Sequence, residues 1–229
     1  MHPQSPSPIQ LIRLGVETYD SAWRCQLREH QRVRDEGHAG SLLLLEHKPV
    51  LTMGKNAQSS YVLMQSEELK NRGIDLQHID RGGEVTAHMP GQLVIYPILP
   101  LQRLKLAPKV YVERLLETVI STLREFGIEG RVDPDYPGVW VGQSKICAIG
   151  IRIKERVSLH GLALNIDNDL SLFEAIVPCG IQGRSVTSMK ALVRDGVTPS
   201  RKQVEETFVK YFCEVFGFQL ATESQSVVE

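Results

Sequence analysis

The sequence has no surplus of either charge. Its 26 Lys and Arg stand against 27 Asp and Glu, a formal net charge of −1. A protein that coats nucleic acid with its whole surface is strongly basic, so that class is excluded, and an anionic partner must be met by a local basic patch. No apolar run approaches the roughly 20 residues of a membrane span. The stretch Met1–Pro8 is rich in Pro and Ser, with neither a cationic start nor an apolar run behind it, so no secretory signal is read there. Cysteine is scarce: Cys25, Cys147, Cys179 and Cys213, no two at CxxC spacing, which removes the common metal-binding and redox motifs. Neither a P-loop nor a GxGxxG fingerprint occurs. Scattered cysteines in a chain large enough to bury its own core point to a reducing compartment, and the expected location is the cytoplasm.

What is present is ordinary soluble material: 229 residues, 42% hydrophobic and 23% charged. The expectation is a single domain over residues 9–221, with a frayed segment at 1–8 and a polar tail at 222–229. Apolar residues at helical spacing predict helices over 18–36 (Tyr19, Trp23, Leu27, His30, Val33), 109–126 (Val112 to Leu123) and 201–216 (Val204 to Phe216). Pro108 and Gly127 bracket the second helix, and Ser200 with Gln203 forms a capping box before the third. Strands are predicted at Leu42–Glu46, Leu93–Leu99, Val139–Val141, Ile146–Ile153 and Ser158–Ile166. The last three, separated by short polar turns, read as an antiparallel meander. The mixture predicts an α+β fold around a mixed or antiparallel sheet flanked by helices.

Four segments carry chemistry. Asp80–Gln92 combines the Gly82–Gly83 pair, which lets backbone approach a ligand closely, with Arg81, Thr86 and His88. A glycine-rich hairpin turn explains the same residues. In Val177–Ile181 a cysteine, Cys179, lies between Pro178 and Gly180 on a rigid turn, where a substrate can reach it. A thiol attacks only as thiolate and needs a nearby cation, whereas a small buried cysteine is the commoner role. Lys145 opens the apolar run Ile146–Gly150, either as a snorkelling edge charge or as a cation beside a thiol. In Ser158–Ile166, Gly161 and Ala163 leave space for a neighbouring element or an apolar tail, and His160 is a general base or a hydrogen-bonded core residue. Cys25, Cys147 and Cys213 read as structural.

Taken together and in this order, the segments Arg81–Gln92, Lys145–Gly150, His160–Asn165 and Pro178–Ile181 resemble the lipoyl (octanoyl) transferase family. Two positions depart from its pattern: Ala87 stands in place of an aromatic residue and Met89 in place of glycine. The resemblance implies a fold similar to the catalytic domains of biotin and lipoate protein ligases. It implies transfer of an octanoyl group from octanoyl-acyl carrier protein to a lysine of a lipoyl domain, with Cys179 as the acyl-thioester nucleophile and Lys145 as its activator. It further implies that Arg81, Gly82, Gly83, Glu84, Val85, Thr86, Ala87, His88, Ala148, Ile149, Gly150, Gly161, Leu162 and Ala163 line the acyl site. The implied acceptors are lipoyl domains of 2-oxoacid dehydrogenase E2 subunits and the glycine cleavage H protein. Metal, cofactor, nucleic acid and membrane are not expected. Three other readings stay open on the residues: an ATP-dependent lipoate or biotin ligase on the same fold, a non-catalytic acyl or carrier-protein binding domain, and a Cys–His hydrolase. Arg152, Lys154 and Arg156 form a candidate patch for an acidic carrier.

Overall fold

The computed structural model describes residues 7–177, 184–193 and 196–221. In chain order the elements are β1 (Ser7–Glu17), α1 (Tyr19–Asp35), β2 (Ser41–His47), β3 (Val50–Met53), α2 (Ser66–Asn71), β4 (Asp75–His78), β5 (Val85–His88), β6 (Gln92–Ile98), α3 (Pro108–Glu125), β7 (Arg131–Val132), β8 (Val139–Val141), β9 (Ser144–Lys154), β10 (Val157–Asn165), β11 (Ser185–Val186), α4 (Met189–Leu192), α5 (Arg201–Phe216) and β12 (Phe218–Leu220). A large mixed sheet runs β12-β1-β2-β6-β10-β9-β8-β7, with β11 added to β9, and a small sheet runs β4-β3-β5.

The continuous apolar run of β2 marks a strand buried on both faces. Leu42 and Leu44 face a core built with α3 and α5, while Leu43 and Leu45 face a second core under α1. Strand alternation thus divides one four-leucine run between two layers. The helix signals hold: Pro108 starts α3, the Ser200–Gln203 capping box starts α5, and Gly217, left-handed at φ 72°, ends it. The meander β8-β9-β10 is antiparallel as predicted.

Several expectations are corrected. Ser7 and Pro8, read as frayed, begin β1, which pairs in parallel with β2 and was not predicted. The small sheet was also missed, and Val85–His88, read as part of a hairpin turn, is a strand antiparallel to β3. The strands of the small sheet are only four residues long, so their hydrophobic pattern is weak. In α1 the buried stripe runs through Tyr19, Ala22, Gln26, His30 and Val33, and Leu27 faces solvent. There, buried polar side chains replace the leucine that periodicity favoured.

Candidate active site

β10 leaves β6 at one point. Their paired register runs from Asn165↔Gln92 to Leu162↔Ile95 and stops, just short of Pro97, which has no N–H to add to a ladder. At the departure His160 takes φ 58°, the left-handed region rarely entered by a residue with a side chain. Its backbone N–H leaves the sheet for Gln26 Oε1 on α1, 2.8 Å away. Gly161 follows, and a Cβ there would stand 2.1 Å from the Ile95 carbonyl oxygen. The glycine therefore serves the close approach of β6. Strain of this kind concentrates at functional sites, and here it turns the His160 ring toward a cavity.

That cavity, of about 600 Å³, is within the usual range for small-molecule sites. One wall is β9 and β10, through Ala148, Ile149, Gly150, Gly161, Leu162 and Ala163; the other is Arg81–Thr86 with His88. Lys145 also lines it. Three of the four segments singled out in the sequence therefore meet at one place. Ala87 does not: it is fully buried on the opposite face of β5 with Leu51 and Met53, because successive side chains of a strand alternate. Met89 packs in that same cluster, and its sulfur lies 3.0 Å from Asn168 Nδ2. Cys179 and the rest of residues 178–183 lie outside the described residues. The chain is described again from Arg184, and Val186 pairs in register with Lys145.

The Arg81 loop is fastened at both edges. Arg81 donates from Nη2 to the Thr52 carbonyl (2.7 Å) and hydroxyl (2.9 Å). Gly54 N–H donates to Glu84 O, and Gly82 N–H donates to Ile151 O on β9. The ion pair between Arg152 and Asp80 closes the same edge. Arg152 is thus committed to the loop, which takes it out of the basic patch expected with Lys154 and Arg156.

Hydrogen bonding settles which nitrogen carries the proton in three buried histidines, His88, His47 and His160. Nδ1 of His88 faces Gln92 Oε1 at 2.7 Å, and the Gln92 amide nitrogen donates to Ala87 O and Asn165 Oδ1. His88 therefore donates from Nδ1. Likewise His47 Nδ1 donates to Glu17 O, leaving Nε2 to accept from the Tyr96 hydroxyl at 2.8 Å. His160 Nε2 donates to Asp80 Oδ1 at 2.9 Å, leaving Nδ1 beside the Tyr19 hydroxyl at 3.4 Å. Burial drives all three toward the neutral form. It lowers His88 to about 3, with His47 adding to the effect, and His47 itself to about 4. Burial, then Arg81 and Arg152, lower His160 to about 3; the opposing charge of Asp80 is shared with Arg152. Burial also raises the Tyr19 and Tyr96 hydroxyls. His160 is thus neither a plain core residue nor a ready acid. It is a neutral, oriented ring at the cavity wall.

Lys145 reaches the cavity because of a β-bulge. Val139 opposes Cys147 and Trp140 opposes Lys145, so Ile146 is an extra residue on β9. Strict alternation would put Lys145 on the same face as Cys147, inside the core. The bulge instead sends both Ile146 and Cys147 into the apolar cluster and Lys145 out of it. The Cys147 thiol is fully buried and pushed up to about 12 by that burial, which disfavours the thiolate. Cys25 and Cys213 lie in α1 and α5 with thiols raised by burial.

Sequence reasoning gave no functional role to Tyr19 or Tyr96, and it named Asp80 only as the start of the Asp80–Gln92 segment. Tyr19 resembled the apolar face of a helix and Tyr96 the interior of a strand. The one available signal was Asp80, directly before Arg81. Among the described residues no cluster of His, Cys, Asp and Glu is arranged to hold a metal ion, and no helix is long and apolar enough to cross a membrane.

Residues 18–213 match the model of the lipoyl protein ligase A/B catalytic domain. The octanoyltransferase of Cellvibrio japonicus is 40% identical over 215 residues, covering 93% of this chain and 95% of that protein. Among solved structures, lipoate-protein ligase A bound with ATP superposes with a TM-score of 0.77 at 19% identity, over 96% of this chain and 90% of the other. The biotin protein ligase of Aquifex aeolicus, in complex with biotin and ATP, gives 0.53 at 14% identity, over 91% and 70%. These two likenesses concern the fold, and they agree with a mixed sheet flanked by helices. With the cavity walled by the segments that first suggested it, the chain belongs to the lipoyl protein ligase A/B catalytic domain family, beside relatives that are octanoyltransferases.

Proposed function

We propose that this acyltransferase takes its octanoyl group from octanoyl-acyl carrier protein and passes it, through a thioester on Cys179, to a lysine of a lipoyl domain. Octanoyl transfer in protein lipoylation is the activity of the family members it matches and of this chain. The observation that carries the finer reading is the convergence on one cavity of Lys145 with Arg81–Thr86, Ala148–Gly150 and Gly161–Ala163. Support for Cys179 is the Pro-Cys-Gly sequence and the in-register pairing of Val186, seven residues further on, with Lys145.

The steps balance without another reactant. Lys145 takes the Cys179 proton, and the thiolate attacks the octanoyl carbonyl. The donor C–S bond breaks, and the departing carrier thiolate takes the proton back from Lys145. The acceptor amine then attacks the Cys179 thioester, loses a proton to Lys145 and forms the amide as the Cys179 thiolate leaves. Thioester-to-thioester exchange is nearly balanced and amide formation from a thioester is downhill, so no nucleotide is required. Oriented backbone N–H groups beside the carbonyl stabilise the oxyanion in chemistry of this kind. The acceptors we assign are lipoyl domains of 2-oxoacid dehydrogenases and the glycine cleavage H protein.

Intact-mass analysis after incubation with octanoyl-acyl carrier protein tests this. One octanoyl adduct is expected, absent in Cys179→Ala and present in Cys147→Ala. An adduct that survives Cys179→Ala, or activity abolished by a nucleotide-depleting enzyme, overturns the reading.

A further inference from the structure

The bulge that turns Lys145 out of the core also sets it against one ring. Lys145 Nζ lies 4.9 Å from the centroid of Trp140, its cross-strand partner, within the range of a cation–π contact. Trp140 is almost wholly buried, and its indole N–H donates to Tyr136 O at 2.9 Å, so the ring cannot turn freely. A second cation uses the same ring: the Arg184 guanidinium carbon lies 4.8 Å from Trp140 and 4.4 Å from Tyr136. Arg184 is in turn tied to Asp133 at 2.7 Å. Gly138 completes the seat. A Cβ there would stand 2.5 Å from Cys147 O and 3.4 Å from Lys145 Cε, and its φ of 133° disfavours any side chain. The lysine stem therefore runs over a bare stretch of backbone to an immobile aromatic face.

We infer that Trp140 is a positioning residue for the reaction: its ring, clamped by Arg184 and Tyr136, holds the Lys145 head at the cavity wall. The inference rests on the assignment of Lys145 as activator. Lysine is a flexible four-carbon stem with a strongly hydrated head, and it loses much side-chain entropy when fixed. An aromatic face beside a buried stem fixes the head without neutralising it, as a carboxylate would.

The test is the rate of Cys179 alkylation by iodoacetamide against pH, in the full chain and its variants, together with steady-state kinetics of octanoyl transfer. Freed from the ring, the Lys145 head stabilises the thiolate less. In Trp140→Leu the alkylation midpoint is expected to rise by about 0.5–1 pH unit, toward that of Lys145→Met. The kcat should fall roughly 3- to 10-fold on the same basis, with KM little changed. Trp140→Phe, which keeps an aromatic face, should return most of the midpoint. A Trp140→Leu midpoint equal to the parent's, in protein whose circular dichroism shows it folded, overturns the inference and leaves the base assignment standing. Equal midpoints for Phe and Leu, both displaced, would mean a packing effect and also overturn it. A Lys145→Met profile superimposable on the parent's removes Lys145 itself, and the inference falls with it. Should Trp140→Leu not fold, Arg184→Gln, which unclamps the ring, carries the same measurement; a parent midpoint there overturns the inference.

Discussion

The cavity has two unlike regions, six residues apart along β9 and hence separated by roughly 20 Å. Around Ile151 and its partner His160, polar groups orient one another in a chain: Tyr19 by His160, His160 by Asp80, Asp80 by Arg152. The histidines there are neutral and fixed. Around Lys145 the groups are cationic and aromatic, held by stacking and by a bulge in the strand. The first arrangement suits recognition, because a buried polar network tolerates one geometry only. The second suits chemistry, because a cation on an aromatic face keeps its charge while its position is fixed. Both are built along β9, where the regularity of the sheet is broken twice, at Ile146 against β8 and at His160 on the neighbouring β10.

Substitutions in the two regions should therefore fail differently. The largest effect is expected at the cationic end: Lys145→Met should lower kcat for octanoyl transfer by about 100-fold, the lower range for loss of a general acid–base, with little change in the denaturation midpoint. A loss confined to KM would move Lys145 from chemistry to binding. At the other end, Asp80→Ala leaves the His160 N–H without its acceptor and Arg152 without its ion-pair partner. It should cost about 1–3 kcal/mol of stability in urea titration, and raise KM more than it lowers kcat. An Asp80→Ala protein with normal KM and normal stability would show that the network is idle.

Protons probe the same contrast. The folded-state values of His47 and His88, about 4 and about 3, lie below the ordinary 6.5. As pH falls below 6.5 the unfolded chain binds protons that the folded chain refuses, so stability is full above that value and declines through the window from 6.5 toward 3–4. Between pH 7 and pH 5 each of the two should cost about 2 kcal/mol. Urea midpoints at the two pH values measure it, and His47→Gln should flatten the decline. The smallest effect is expected on the exposed turn. With Arg152 engaged by Asp80, only Lys154 and Arg156 remain to steer an acidic carrier. Reversing both to Glu should slow transfer from octanoyl-acyl carrier protein by less than about 10-fold at low salt, less still at 0.15 M, where the Debye length is about 8 Å. Transfer from a small octanoyl thioester should be spared. Equal slowing of both donors would trace the effect to the fold.

Much of this was legible before any coordinates. The three long helices, β2, β6 and the meander announced themselves by periodicity, capping and short polar turns, which act over a few residues. The segments around Arg81, Lys145, His160 and Cys179 announced themselves by unusual residue types, and their order carried the family resemblance. β1, β12 and the small sheet were not legible. β1 gains its place from parallel pairing with β2 and β12, partners across a helix and at the far end of the chain, and no local pattern encodes a crossover.

The sequence by itself thus determined the residue types available for catalysis and the local elements that bear them, because propensity, patterning and capping are short-range properties. Which way those residues point was decided only in the tertiary structure. Ala87 turns away from the cavity because β5 pairs with β3, and Lys145 turns toward it because β9 carries one residue more than β8. His160 turns inward where β10 parts from β6 before Pro97. Each outcome depends on strand register, and register is fixed by partners that can lie far away in the chain.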